Sequence, residues 1–272
     1  MDHYKRIINK VYQHSIKKIN YYTKDRFSVP LNPQHSDVYL VEFPKSGITW
    51  LSFLIGNINL IKSDFQQRMT YYNHHQYTPD IHVSRHLQQN PLPFPGFRVI
   101  KSHSEYNSMY SFVILLIRNP LDVMISYYYF TKSLNQFKGS LMEFIKDNKF
   151  GIDAWINHLS SWINRPIDSQ RLFLLRYEDL KCDTSNELKQ LYRILGFRLE
   201  DEVIEQSVKL CQFEEMKKDE NFYKTRNPYY DINFMRKGKS TDFKTEMNKE
   251  MIDYICSRSG KYLEKFYSDL KI

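Results

Sequence analysis

Seven residues of this chain, Pro44-Lys-Ser-Gly-Ile-Thr-Trp50, put a cation, two hydroxyls and a glycine into a run short enough to be one loop. Strand formers precede it (Val38, Leu40, Val41, Phe43), and a long apolar segment from Leu51 to Ile61 follows, with a length that suits a helix. Strand, tight loop and helix make a phosphate cradle. Backbone N–H groups at a helix start point at an anion, the helix dipole favours negative charge there, and Lys45 adds a full positive charge. The run is not a Walker A loop, which reads Gly-x-x-x-x-Gly-Lys-Ser/Thr, because here Lys45 and Ser46 precede a single glycine. An anion site is expected, and an NTPase is not. Histidines offer a second kind of chemistry. His82 and His86 stand at i, i+4 spacing with His74 and His75 nearby, yet no glutamate takes the His-Glu-x-x-His position, so no metal is expected.

The elements that must position such a loop are legible on either side. A strand is expected over 97–101 and another over 112–118, the second an almost unbroken apolar run of the kind buried on both faces of a parallel sheet. Asn119 reads as an N-cap, with Pro120 at the first helical position and Asp122 in the first turn of a helix over 120–131. Trp155, Leu159, Trp162 and Ile163 repeat at helical spacing, and a strand is expected over 171–177. Thr184-Ser-Asn-Glu187 reads as a capping box before a helix that stops at Gly196. Strands alternating with helices predict an α/β fold, one domain over 1–272 with a central parallel sheet flanked by helices. Ligands of such folds bind beyond the carboxyl ends of the strands, where Phe43, Lys101, Arg118 and Tyr177 would meet.

Composition sets outer limits. A chain of 272 residues without a Pro/Gly/Ser-rich linker can build one substantial core, and 21 tyrosines, 18 phenylalanines and 3 tryptophans suit an aromatic-lined pocket. Mean hydropathy is −0.58. No apolar run approaches the ~20 residues of a membrane span, and no signal peptide is visible among Lys5, Arg6, Lys10, Lys17 and Lys18. Cys182, Cys211 and Cys256 are widely spaced and form no Cys-x-x-Cys pair, so the expected compartment is the reducing cytoplasm. The net charge of +8 is spread along the chain without a nucleic-acid-binding motif, and fits a solvated surface or the steering of a polyanionic small ligand.

The loop resembles the 5′-phosphosulfate loop of cytosolic-type sulfotransferases, Pro-Lys-Ser-Gly-Thr-Thr-Trp, with Ile48 in place of the first threonine. Further motifs follow in family order. Arg118-Asn-Pro-Leu-Asp with Ser126-Tyr-Tyr-Tyr-Phe130 is similar to the 3′-phosphate motif, where the planar fork of Arg118 and the Ser126 hydroxyl would grip a phosphate, although pairing of Arg118 with Asp122 is the plainer alternative. Phe234-Met-Arg-Lys-Gly-Lys-Ser-Thr-Asp-Phe-Lys244 is similar to the segment that closes over that phosphate through Arg236, Lys237 and Gly238, with Thr241 and Phe243 departing from Gly and Trp. Tyr177 and Phe213 lie in segments resembling those that contact the adenine. Lys101-Ser102-His103 matches Lys-Thr-His, in which the histidine is the general base and the lysine touches the transferring group. The resemblance implies sulfuryl transfer from 3′-phosphoadenosine 5′-phosphosulfate (PAPS) to a hydroxyl or amine. Catalysis would rest on His103, Lys45 and Lys101, and the donor on Lys45, Ser46, Gly47, Ile48, Thr49, Trp50, Arg118, Ser126, Tyr177, Phe213, Arg236, Lys237 and Gly238. A small-molecule kinase with an unusual loop, or a non-catalytic binder of adenosine 3′,5′-bisphosphate, are the alternatives.

Three regions lie outside the motifs or beside them. Residues 1–36 are expected to form a helical extension whose basic part, 4–22, either packs as an ordinary helix or touches a membrane surface. Residues 63–96 read as acceptor-site loops for a small molecule or glycan, and 219–245 as a loop covering the donor. Relatives that pair through Lys-x-x-x-Thr-Val-x-x-x-Glu carry Thr-Val where this chain has Asn248 and Lys249, which predicts a monomer or a dimer through another face.

Overall fold

The computed structural model describes residues 28–30, 32–84, 92–166, 171–227 and 243–269. Four strands form one parallel sheet: β1 (Val38–Glu42), β2 (Val99–Ser102), β3 (Phe112–Ile117) and β4 (Arg171–Arg176), in the order β2-β1-β3-β4. Val38 pairs with both Val99 and Phe112, and Phe112 with Arg171, so the carboxyl ends of all four strands lie along one edge. β1 and β3 are the inner pair and consist of apolar residues but for Glu42 at the very end of β1.

Alternation along the strands feeds two cores, one on each face. Tyr39, Val41, Val113, Leu115 and Ile117 face α4 (Pro120–Ser133), α6 (Ile152–Ile163) and α12 (Lys249–Tyr267), where Trp155, Trp162 and Tyr262 are buried. Val38, Leu40, Ile114 and Leu116 face α1 (Ile48–Lys62), α7 (Tyr177–Cys182), α8 (Thr184–Ile194) and α9 (Asp201–Leu210). Shorter helices α2 (His74–Tyr77), α3 (Ile81–Ser84), α5 (Leu141–Ile145) and α11 (Phe243–Glu246), with the longer α10 (Phe213–Arg226), complete the fold. α1 is buried nearly all round, and its polar side chains are satisfied accordingly: Asn57 donates to the Cys211 sulfur at 3.3 Å and accepts from the Met69 N–H at 2.9 Å. At the amino edge of the sheet, Arg98 grips Asp37 through two bonds of 2.7 Å, both side chains buried.

The expected elements are present, with local differences at their ends. Asn119 caps α4 by accepting from the Leu121 N–H, as expected. The cap of α8 is Asp183 rather than Thr184, because the Asp183 carboxylate reaches the Asn186 N–H while the Thr184 hydroxyl donates back to the Leu180 carbonyl. Tyr177 opens a helix instead of closing a strand. The described part of the region 63–96 is mostly irregular but carries α2 and α3.

Candidate active site

Between β1 and α1 the chain turns through two left-handed residues, Lys45 at φ 75° and Gly47 at φ 116°. Gly47 is required twice over. The positive φ disfavours a side chain, and a Cβ there would lie 2.6 Å from Cδ2 of Tyr177. Ser46 braces the turn, its hydroxyl donating to the Phe43 carbonyl at 2.8 Å. The Glu42 carboxylate lies under the loop and accepts from the Ile48 N–H at 2.7 Å and the Lys45 N–H at 3.2 Å. Two of the N–H groups expected to face an anion thus hold a carboxylate of the chain itself. Burial pushes the Glu42 carboxyl up from its ordinary range, against the pull of His103, Lys45 and the two N–H groups. The Lys45 ammonium lies 4.3 Å from the centroid of Phe130. Burial lowers it to about 8, with Arg118 adding to the fall and Glu42 and Glu220 opposing it.

The end of β3 brings Arg118 against this loop. Its guanidinium stacks 4.4 Å from the centroid of Tyr177 and donates to the Lys45 carbonyl at 3.3 Å. Asn119 holds that strand end in place by donating its backbone N–H to Glu178 of α7. Tyr177 in turn meets Trp50 edge to face at 5.8 Å, and the Trp50 indole donates to the Cys211 carbonyl, two residues before Phe213. Ser126 is half-buried, two turns into α4, and Phe213 is half-buried at the first position of α10. Thus Lys45, Gly47, Trp50, Arg118 and Tyr177 form one connected group.

Across the edge, β2 ends in a denser polar cluster. Lys101 is buried, and its N–H donates to the Pro79 carbonyl while a β-bridge joins its residue to Asp80. Burial lowers the Lys101 ammonium, and Asp80 and Glu42 resist. His103 keeps 29% of its side chain exposed and offers both ring nitrogens to oxygen. Nδ1 lies 3.3 Å from the Glu42 carbonyl and 3.9 Å from its carboxylate, and Nε2 lies 3.6 Å from Oδ2 of Asp80. Burial works to lower the His103 imidazolium, but these two carboxylates outweigh it and the group is raised. His82 fixes the backbone: its Nε2 accepts the His103 N–H at 3.1 Å, and the two rings stack at 6.0 Å.

Of the predicted residues, the structure therefore gathers Lys45–Trp50, Arg118 and Tyr177 on one side and Lys101 with His103 on the other, joined through Glu42. Arg236, Lys237, Gly238 and His86 lie outside the described residues, as do residues 1–27. Sequence reasoning missed Glu42, Asp80 and His82. Glu42 was signalled by its position, the one carboxylate ending an apolar strand ahead of the anion loop, and Asp80 by following Pro79 at the start of a short helix. Among the described residues no group of three or more His, Cys, Asp or Glu side chains is placed to hold a metal, and no helix is long and apolar enough to cross a membrane.

Comparison with known proteins gives a consistent answer. The sulfotransferase domain family matches residues 35–266 of this chain. Sulfotransferase 1E1 of Bos taurus is 31% identical over 233 residues, covering 76% of this chain and 77% of its own length. Sulfotransferase 1B1 of Canis lupus familiaris is 30% identical over 263 residues, covering 84% and 85%. In fold, the chain is similar to mouse sulfotransferase SULT7A1 complexed with PAP (TM-score 0.61, 20% identity, 90% of this chain and 92% of that one). It is likewise similar to retinol dehydratase in complex with androsterone and the inactive cofactor PAP (TM-score 0.62, 16% identity, 89% and 84%).

Proposed function

This chain belongs to the sulfotransferase family, enzymes that transfer sulfuryl groups, and we propose that it does so from PAPS to a hydroxyl or amine with His103 as general base. The observation that carries the reading is the contact of the His103 ring with the last residue of β1, which stands the base at the foot of the loop bearing Lys45. Bound at that loop, PAPS would supply the sulfuryl group. The fit rests on the left-handed Gly47 at the start of α1, on the Lys45 ammonium and on Arg118 against the Lys45 carbonyl. Glu42 counts against it locally, and the nearby cations Lys45 and Lys101 offset that charge.

Each residue then has a separate task. Displacement in line at sulfur builds negative charge on the leaving phosphate oxygen, and Lys45 presents a positive charge already in place there. Lys101 adds a second cation beside the transferring group. His103 removes the acceptor's proton, the task of a neutral imidazole. A proton on Nδ1 satisfies the Glu42 carbonyl and leaves Nε2 to act. Arg118 and Ser126, with Arg236, Lys237 and Gly238 on sequence similarity alone, grip the 3′-phosphate, and Tyr177 and Phe213 flank the adenine. Within 63–96, the stretch carrying Asp80 and His82 lies on the acceptor side, since it contributes those two residues to the cluster around the base. Retinol dehydratase, a neighbour in fold, has been seen with retinol and with androsterone, which favours a small hydrophobic alcohol as the first acceptor to try. Free thiols at Cys182, Cys211 and Cys256 suit a reducing compartment.

Calorimetric titration with adenosine 3′,5′-bisphosphate and with ATP tests the donor, and turnover of PAPS with a panel of phenols, sterols and amines tests the transfer. Tighter binding of ATP than of the bisphosphate would sink the reading in favour of a kinase. Tight bisphosphate binding with no turnover across the panel would favour a non-catalytic binder.

A further inference from the structure

Asp80 stands where no motif placed a functional residue. It lies just before α3, in the irregular region between α1 and β2, and the β-bridge of Asp80 to Lys101, which includes the bond from the Lys101 N–H to the Pro79 carbonyl, holds its backbone segment to the sheet. Its two carboxylate oxygens do different things. Oδ1 accepts the His82 N–H at 2.9 Å and caps the short helix, while Oδ2 faces Nε2 of His103 at 3.6 Å. The side chain keeps 21% exposure and that of His103 29%, so the pair borders open space.

Nδ1 of His103 is committed to the Glu42 carbonyl, which leaves Nε2 as the one nitrogen that can take a proton from outside. A carboxylate beside that nitrogen cannot bond to a bare lone pair, so its partner is the protonated ring. We propose that Asp80 is the positioning residue of the base: it supplies the counter-charge that stabilises and holds in place the imidazolium that forms when His103 takes the acceptor's proton. The proton passes from the acceptor oxygen or nitrogen to Nε2 as the acceptor's electron pair forms the bond to sulfur and the sulfur–oxygen bond to the leaving phosphate breaks. Nothing is oxidised or reduced.

The other charges around the ring do not replace this role. Glu42, from β1, faces Nδ1 at 3.9 Å, and its carboxylate is already engaged by the Lys45 and Ile48 N–H groups. Lys45 in the loop and Lys101 on β2 are cations and act against a protonated ring. His82, from α3, is kept neutral: burial lowers it, Nε2 accepts the His103 N–H, and the charge of His103 disfavours its own. Asp80 itself stays ionised, since burial, which would raise its carboxyl, is outweighed by His103 and Lys101. Against the pull of burial, the carboxylates of Asp80 and Glu42 beside the ring raise His103.

The proposal rests on His103 being the base, and the test separates the two. Asp80→Asn keeps the oxygen that caps the helix and removes only the charge, Asp80→Glu restores the charge on a longer arm, and His103→Gln identifies the ring signal. With histidine rings labelled with nitrogen-15, the ring of His103 is titrated in the parent and both Asp80 variants, and kcat is followed against pH with 2-naphthol as acceptor probe. In Asp80→Asn the His103 titration and the acid limb of kcat should both move to lower pH by about one unit or more. The alkaline plateau should fall, KM for PAPS should hold, and Asp80→Glu should recover part of both changes. An unmoved His103 titration in Asp80→Asn overturns the proposal whatever the kinetics show. A shifted titration with an unchanged kcat profile, while His103→Gln is inactive, overturns the catalytic part alone. Activity surviving in His103→Gln removes the base reading on which the proposal stands.

Discussion

In the proposed mechanism Lys45 and His103 work on opposite sides of the transfer, and their substitutions should separate accordingly. Lys45→Ala should weaken both adenosine 3′,5′-bisphosphate binding and turnover. His103→Ala should leave the bisphosphate affinity near that of the parent, measured calorimetrically, and lower kcat by ~10²–10⁴. Full turnover in either variant contradicts the assignment. A pH dependence follows from the lowered ammonium. Lys45 is charged below about 8 and loses its proton above it, so affinity for the bisphosphate should fall as pH rises through about 8. A bound anion favours the charged form, so binding in that range should take up protons from the buffer. Lys45→Arg stays charged and should flatten the fall, whereas an affinity already flat from neutral to alkaline pH in the parent would show that Lys45 does not carry the charge. Arg118 is the third residue with a distinct signature. The proposed function assigns Arg118, at the end of β3 against the Lys45 carbonyl, to the 3′-phosphate. Arg118→Ala should therefore abolish the preference for the bisphosphate over AMP, and an unchanged ratio of the two affinities would remove it from the 3′-phosphate site.

The element that makes the site is the strand–loop–helix unit of β1 and α1, and Gly47 is its least replaceable residue. Gly47→Ala would force a side chain into φ 116° and into the ring of Tyr177. A left-handed residue with a Cβ costs about 1–2 kcal/mol before any clash, so the melting temperature should drop by several degrees and bisphosphate binding should fall with it. Adding Tyr177→Ala should relieve the clash but not the backbone strain, so the double variant should recover part of the stability. A Gly47→Ala protein as stable and as tight-binding as the parent would mean that the loop is not built as described. Much of this unit was legible in the sequence, for physical reasons. Apolar strands between breakers, the Asn119-Pro120 cap and the Lys-Ser-Gly loop are local signals that set local structure. What was not legible depends on long-range placement. That Glu42 would turn its carboxylate under the loop, and that Asp80 would reach His103, follow from how β2 lies beside β1 and how 79–80 adds to its edge. No spacing along the chain encodes either. Asp183 rather than Thr184 is the cap because two adjacent residues could each serve, and the Thr184 hydroxyl is engaged by the Leu180 carbonyl.

At the scale of the whole molecule, the open matter is assembly, and the segment 244–251 decides one route to it. The described structure gives its residues work within the chain. Phe243 and Met247 are buried in the core under α12, and Asn248 caps that helix by accepting the Met251 N–H at 2.9 Å. Asn248 and Lys249 stand where relatives that pair through this region carry Thr and Val. The amide is therefore turned to its own helix, and Lys249 puts a positive charge on the first residue of that helix, where the helix dipole is positive too. A two-fold axis through this segment would bring the lysines of two copies together, and an isologous contact counts each such change twice. The chain should accordingly be a monomer, or a dimer through another face, when its mass is measured by light scattering at micromolar concentration. Raising the salt concentration should not create a dimer through 244–251, because screening removes repulsion without supplying the missing apolar contact. Lys249→Glu should leave the measured mass unchanged. A stable dimer in the parent that substitutions within 244–251 disperse, while substitutions elsewhere on the surface do not, would show that the segment pairs despite its charge.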